Sequence, residues 1–93
     1  VSATHELVIH HPSGLHARPA ALFVKAAAGF SCAISIENLS KGLEPVNGKS
    51  VLRLLTAAVQ PNDRVRIIAE GEDEQVAVEA LAHLIASNFG EAV

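Results

Sequence analysis

The chain has 93 residues, which is enough for one hydrophobic core but not for two. Apolar residues make up 49% of it and aromatics only 3%, so the core has to be assembled from Ala, Val, Leu and Ile. A net charge of −3 provides no basic field for a nucleic-acid backbone, and no apolar run approaches the roughly 20 residues that cross a bilayer.

From Thr4 to His10 (THELVIH) polar and apolar residues alternate, with Leu7 and Ile9 on one side, and the run stops at the turn cluster Pro12, Ser13 and Gly14. A first strand and a loop are expected. From His16 to Ala28 the apolar residues Ala17, Ala20, Ala21, Phe23, Val24, Ala27 and Ala28 recur at helical spacing. Gly29 follows, at the place where a left-handed C-terminal residue is wanted.

Ser31 to Glu37 (SCAISIE) puts Cys32, Ile34 and Ile36 on one face, which predicts a second strand and makes the lone Cys32 a buried small hydrophobe. The polar stretch Asn38 to Gly48 reads as an irregular return containing at most a short strand. Ser50 then precedes VLRLLTAAV, where Val51, Leu54, Leu55 and Ala58 share a helical face, so Ser50 is the expected N-cap of a short second helix. On so short a helix Leu52 and Leu55 cannot both be deep in the core beside Val51 and Leu54, and some apolar exposure follows.

Asp63 to Ala69 (DRVRIIA) alternates again and closes at Gly71. Glu72, Asp73 and Glu74 open a third helix, where acids suit the dipole, and its stripe is expected at Ala77, Ala80, Leu81, Leu84 and Ile85, with Gly90 at its end. The order β, α, β, possible short β, α, β, α is that of an α+β domain: a four-stranded antiparallel sheet with three helices on one face, an open-faced two-layer sandwich.

The chemistry concentrates in Gly14-Leu15-His16-Ala17-Arg18-Pro19-Ala20-Ala21. The first N–H groups of a helix have no partner within it, and with the dipole they attract an anion such as a phosphoryl group. Neutral imidazole at His16 is a nucleophile that needs no separate base. Arg18 offers a planar fork of donors to phosphate oxygens, and Ala17 and Ala20 leave room for a partner to close over His16. Pro19 disfavours α geometry at Arg18, so either His16 or Arg18 can be the N-cap.

Other constellations are weaker. His5, His10 and His11 lack a companion Cys or carboxylate at zinc-ligand spacing, and no glycine-rich phosphate loop is present, so neither a metal nor a nucleotide or other cofactor is expected. His83 sits among alanines and leucines, as a polar edge or a satisfied core histidine.

GLHARPAA closely resembles the active-site signature of HPr, the histidine-containing phosphocarrier family of the bacterial phosphoenolpyruvate:sugar phosphotransferase system. NGKSVLRLL resembles the family's second signature and AEGEDEQVAVEAL its last strand-to-helix junction, so the likeness spans nearly the whole chain. The resemblance implies a phosphocarrier and not an enzyme: His16 phosphorylated on Nδ1 by enzyme I, Arg18 beside the phosphate, and transfer onward to IIA proteins or domains in sugar uptake. It also implies a docking surface at Ala17, Ala21, Val51, Leu52, Leu55 and Thr56, rimmed by Lys25 and Arg53.

Ser50 matches a serine that a dedicated kinase phosphorylates in some members, which opens an alternative: a regulatory HPr-like domain acting through Ser50 on a kinase or a transcription regulator. A single HPr-like domain over residues 1–93, monomeric and cytoplasmic, is expected. Two departures from the family stand out: a long stretch from Glu37 to Lys49, and Ala57-Ala58 where many members carry glycine. The tail IASNFGEAV resembles HPr domains of multidomain phosphotransferase polypeptides or of the nitrogen-related branch, and the absence of Met agrees with a domain cut from a larger chain.

Overall fold

A computed structural model describes residues 2–90. Elements follow in the order β1 (Ala3–Val8), α1 (Ala17–Ala27), β2 (Ala33–Asn38), β3 (Val46–Asn47), α2 (Val51–Thr56), β4 (Arg64–Glu70) and α3 (Glu74–Ala86), with a closing 3₁₀ turn at Asn88–Gly90. The sheet order is β1-β4-β2-β3 and every pairing is antiparallel. This is the expected α+β open-faced sandwich.

Alternation explains the sheet. Val65, Ile67 and Ala69 of β4 are buried, and across the ladder Ile67 lies opposite Ile36 of β2 and His5 of β1. The opposite face is polar: Arg66 reaches Glu6 at 2.9 Å on one neighbour and Glu37 at 3.1 Å on the other. Those contacts tie three strands together on the side away from the helices.

Phe23, Leu54 and Leu81 are fully buried, one from each helix, and meet Ile36 and Ile67 in one core. The stripe of α3 is Ala77, Val78, Leu81, Ala82 and Ile85, with Leu84 half-buried; the expected Ala80 faces solvent, one helical step off the buried stripe. His83 is exposed, a polar edge.

Several local expectations are corrected. β1 stops at Val8, because Ile9 exchanges hydrogen bonds with the 62–63 turn (Ile9 N–H to the Asp63 carbonyl, 2.9 Å; Asn62 N–H to the Ile9 carbonyl, 2.7 Å). Gly29 is not left-handed; α1 ends through Ala28 in right-handed geometry, and the Gly29 and Phe30 amides bond back to Ala26 and Ala27 in tighter turns. Asn38 continues the buried face of β2 and does not open the loop. Its Nδ2 donates to the Ala57 carbonyl at 2.9 Å and to Asp63 at 3.3 Å, so a fully buried amide is satisfied by groups far along the chain.

Asp73 is the N-cap residue of α3, yet its carboxylate accepts the Ser31 and Cys32 amides at 2.9 and 3.0 Å, fixing the entry to β2. Ala58 follows α2 with φ +53. That left-handed conformation is one glycine adopts freely and alanine only at a cost of roughly 1–2 kcal/mol.

Candidate functional site

The loop before α1 is held by backbone contacts. The Gly14 N–H donates to the His11 carbonyl at 2.9 Å and the Leu15 N–H to the Val59 carbonyl at 3.1 Å, while the Leu15 side chain is buried. Gly14 has φ +62, and a Cβ there would run into the Val59 carbonyl and lie 3.0 Å from the Gln60 carbonyl carbon. Only glycine satisfies both demands.

Leu15 points inward and His16 outward. His16 is the N-cap of α1, in extended geometry (φ −98, ψ 178), and its carbonyl accepts the Ala20 N–H at 3.0 Å. The choice between His16 and Arg18 as N-cap is thereby decided. Its imidazole makes no capping bond and is exposed, so the ring is presented to solvent. A Ser, Thr, Asp or Asn at the same place would turn its side chain back onto the helix amides.

Arg18 occupies the second helical position, exposed, with Pro19 after it. Pro19 carries no N–H and the Ala20 N–H is already bonded, so the amides that the first turn presents are those of Ala17 and Arg18. No acidic residue stands in that turn to compete for them. An anion at His16 would meet backbone dipoles and a guanidinium on the same helix start.

The docking candidates divide. Ala17, Ala21, Leu52, Leu55, Thr56, Lys25 and Arg53 are exposed, Leu52 at 76% and Leu55 at 37%, whereas Val51 is half-buried against the core. Helices α1 and α2 pack on each other, so their outward faces adjoin. Ala20, expected beside His16, is fully buried; its small size serves the contact of α1 with the core. Ser50 caps α2, its Oγ accepting the Arg53 N–H at 3.2 Å.

The remaining candidates stay outside the site. Cys32 is buried, and burial first, then the hydrogen bond with Asp73, pushes its thiol above the ordinary range, which leaves little thiolate. Among the described residues no group of three or more His, Cys, Asp or Glu could hold a metal ion. His11 is buried under the loop, while His5 and His10 are exposed.

A family model described as "PTS HPr component phosphorylation site" matches residues 3–87. The chain belongs to the HPr family. Among HPr relatives, the phosphocarrier protein HPr of Borreliella burgdorferi is 45% identical over 88% of this chain and 92% of its own length. The multiphosphoryl transfer protein of Haemophilus influenzae is 39% identical over 91% of this chain, which spans only 17% of that relative's length. In structure, a crystal form of HPr from Thermoanaerobacter tengcongensis superposes with a TM-score of 0.89 at 41% identity, covering 98% of this chain and 99% of that one. An HPr-like chain of this length therefore exists both as a whole protein and as a segment of a longer one.

The structure also shows what residue-by-residue reading missed. His11, Leu15, Asn38 and Val59 shape the loop and its support, and none of them carries a chemical signal. Leu15 could have been found from the inward phase it shares with Phe23 once the helix start was known. His11 and Asn38 could not, because polar residues beside turn formers read as loop.

Proposed function

We propose that this chain is a phosphocarrier whose His16 accepts a phosphoryl group from enzyme I, charged by phosphoenolpyruvate, and passes it to IIA proteins or domains in sugar uptake. The observation that carries this reading is the unused His16 imidazole, exposed at the N-cap of α1 beside Arg18 within the matched family region. Nδ1 attacks phosphorus, the N–P bond forms as the donor's own bond to phosphorus breaks, and the donor group leaves with that electron pair. The reverse sequence delivers the group to the acceptor.

In this scheme Arg18 and the amides of Ala17 and Arg18 offset charge on the transferring oxygens. Ala17, Ala21, Leu52, Leu55 and Thr56, with Val51 beneath and Lys25 and Arg53 at the rim, form the docking face. Residues 1–93 act as a single cytoplasmic, monomeric domain, either alone or within a multiphosphoryl polypeptide. The domain is a carrier and turns over no substrate of its own.

The test is incubation with phosphoenolpyruvate and a bacterial enzyme I, followed by intact mass. One acid-labile phosphate on the wild-type chain and none on His16→Ala is expected; an unmodified wild-type chain overturns the reading. Arg18→Ala should slow transfer more than it weakens docking.

One observation favours a second role. Ser50 stands at the start of α2 next to exposed Leu52, so a phosphate placed there by an HPr kinase would alter the docking face and could serve a transcription regulator. Ser50→Ala would abolish such regulation while leaving transfer through His16 intact.

A further inference from the structure

Beneath the loop that presents His16 lies a histidine with no part in the transfer itself. His11 is 7% exposed, and its Nδ1 accepts the Ser13 N–H at 3.1 Å while its carbonyl accepts the Gly14 N–H at 2.9 Å. An N–H donor on Nδ1 fixes the ring as the tautomer with its proton on Nε2. One residue thus holds two successive amides of the loop, through side chain and main chain, immediately before Leu15 and His16.

The ring also has an aromatic neighbour. Phe89 meets it edge-to-face, with centroids 5.8 Å apart and planes at 76°, and Phe89 is itself buried. Phe89 belongs to the closing 3₁₀ turn, where Asn88 and Phe89 both have positive φ (+54 and +60). Two consecutive non-glycine residues in that region are retained only where the surroundings hold them, and here burial of the Phe89 ring in the core, with His11 as one of its neighbours, does so.

We propose that His11 is a positioning residue for the His16 loop, and that its contact with Phe89 makes the end of the domain a strut for that loop. This rests on the reading of His16 as the phosphoryl acceptor. The chain enters the loop from β1 and Phe89 stands 78 residues after His11, so the strut joins the closing 3₁₀ turn to the site. Loosening the C-terminal turn would then act on the orientation of the His16 imidazole and not on the docking face, which lies on α1 and α2.

The experiment uses the full chain with His11→Leu, His11→Asn and Phe89→Ala. Leu fills space against Phe89 but accepts no hydrogen bond, while Asn retains an acceptor for the Ser13 amide at the place of Nδ1. Phosphorylation by enzyme I and phosphoenolpyruvate is measured as maximal rate and as KM for the carrier, with amide spectra of the folded variants recorded alongside. His11→Leu should lower the maximal rate roughly tenfold with KM changed by less than about twofold, and should move the Ser13, Gly14 and Leu15 amide signals. His11→Asn should restore most of the rate. Phe89→Ala should move the same loop signals from the far end of the chain.

A His11→Leu chain with wild-type rate and unmoved loop signals overturns the proposal, as does an Asn variant no better than Leu. Should Phe89→Ala unfold, Phe89→Leu replaces it, and unmoved loop signals there remove the strut. If the wild-type chain takes no phosphate, the reading of His16 fails instead, and the amide signals alone judge the strut.

Discussion

The Val59 carbonyl oxygen accepts the Leu15 N–H at 3.1 Å and also occupies the space that a side chain on the adjoining Gly14 would need. One backbone oxygen therefore sets both the path of the loop before His16 and the identity of the residue before Leu15. Gly14→Ala combines a left-handed backbone with a contact against main-chain atoms that have no rotamer to escape through. A loss of about 2–4 kcal/mol is expected from urea unfolding, with slower phosphorylation of His16. A loss below about 1 kcal/mol would show that the 59–60 segment gives way.

Capping at Ser50 can be separated from signalling there. Ser50→Ala removes the acceptor of the Arg53 amide and should cost about 1 kcal/mol in thermal or urea unfolding. Ser50→Asp keeps an acceptor at a position that favours negative charge, so its stability should lie within about 0.5 kcal/mol of wild type. If Ser50→Asp nevertheless raises the KM for enzyme I, charge at that position acts on docking and not on folding.

Leu52 and Leu54 are two residues apart on α2 with opposite fates, one 76% exposed and the other fully buried. Leu54→Ala should destabilise by roughly 2–5 kcal/mol through the cavity it leaves. Leu52→Ala should change stability by less than about 0.5 kcal/mol and raise the KM for enzyme I several-fold. Equal KM for Leu52→Ala and wild type would remove Leu52 from the docking face.

Acid should weaken the fold through Asp63. Burial pushes its carboxyl up, but the Gln60 amide, the Lys41 ammonium and the Asn38 side-chain amide outweigh that and hold it below the ordinary value. A carboxyl depressed in the folded state contributes stability that is fully present above its unfolded value, about 3.9, and is lost as pH falls through the folded value. Urea unfolding from pH 6 down to pH 2 should thus lose less stability in Asp63→Asn than in wild type, although Asp63→Asn starts lower at pH 6. Parallel curves would show that the carboxyl titrates alike in both states.

The elements were legible because their apolar spacing is simple: period two in β2 and β4, helical spacing in α1 and α3, and a capping serine before α2. His16 and Arg18 were legible from motif and helix start together. The illegible parts are long-range. Asn38 sits in a polar stretch, and only the fold reveals that its partners are Ala57 and Asp63. His11 beside another histidine and a proline gives no hint of Phe89. Gly29 follows a helix as a left-handed cap would, yet the chain turns there without positive φ, since the amides find partners in tighter turns. Periodicity reports which way a side chain faces; it does not report what an isolated polar group meets.

The place of β4 has a consequence for the order of events during synthesis. It lies between β1 and β2, so neither has that neighbour until residues 64–70 have been made. The Val59 carbonyl that receives Leu15 likewise belongs to the segment leading into β4. His16 leaves the ribosome before residues 64–70 do, in a segment whose sheet still lacks an inner strand. The proposed acceptor is thus made before the strand that completes its support, and a chain truncated before residue 64 should carry His16 without the Val59 and β4 contacts that hold its loop.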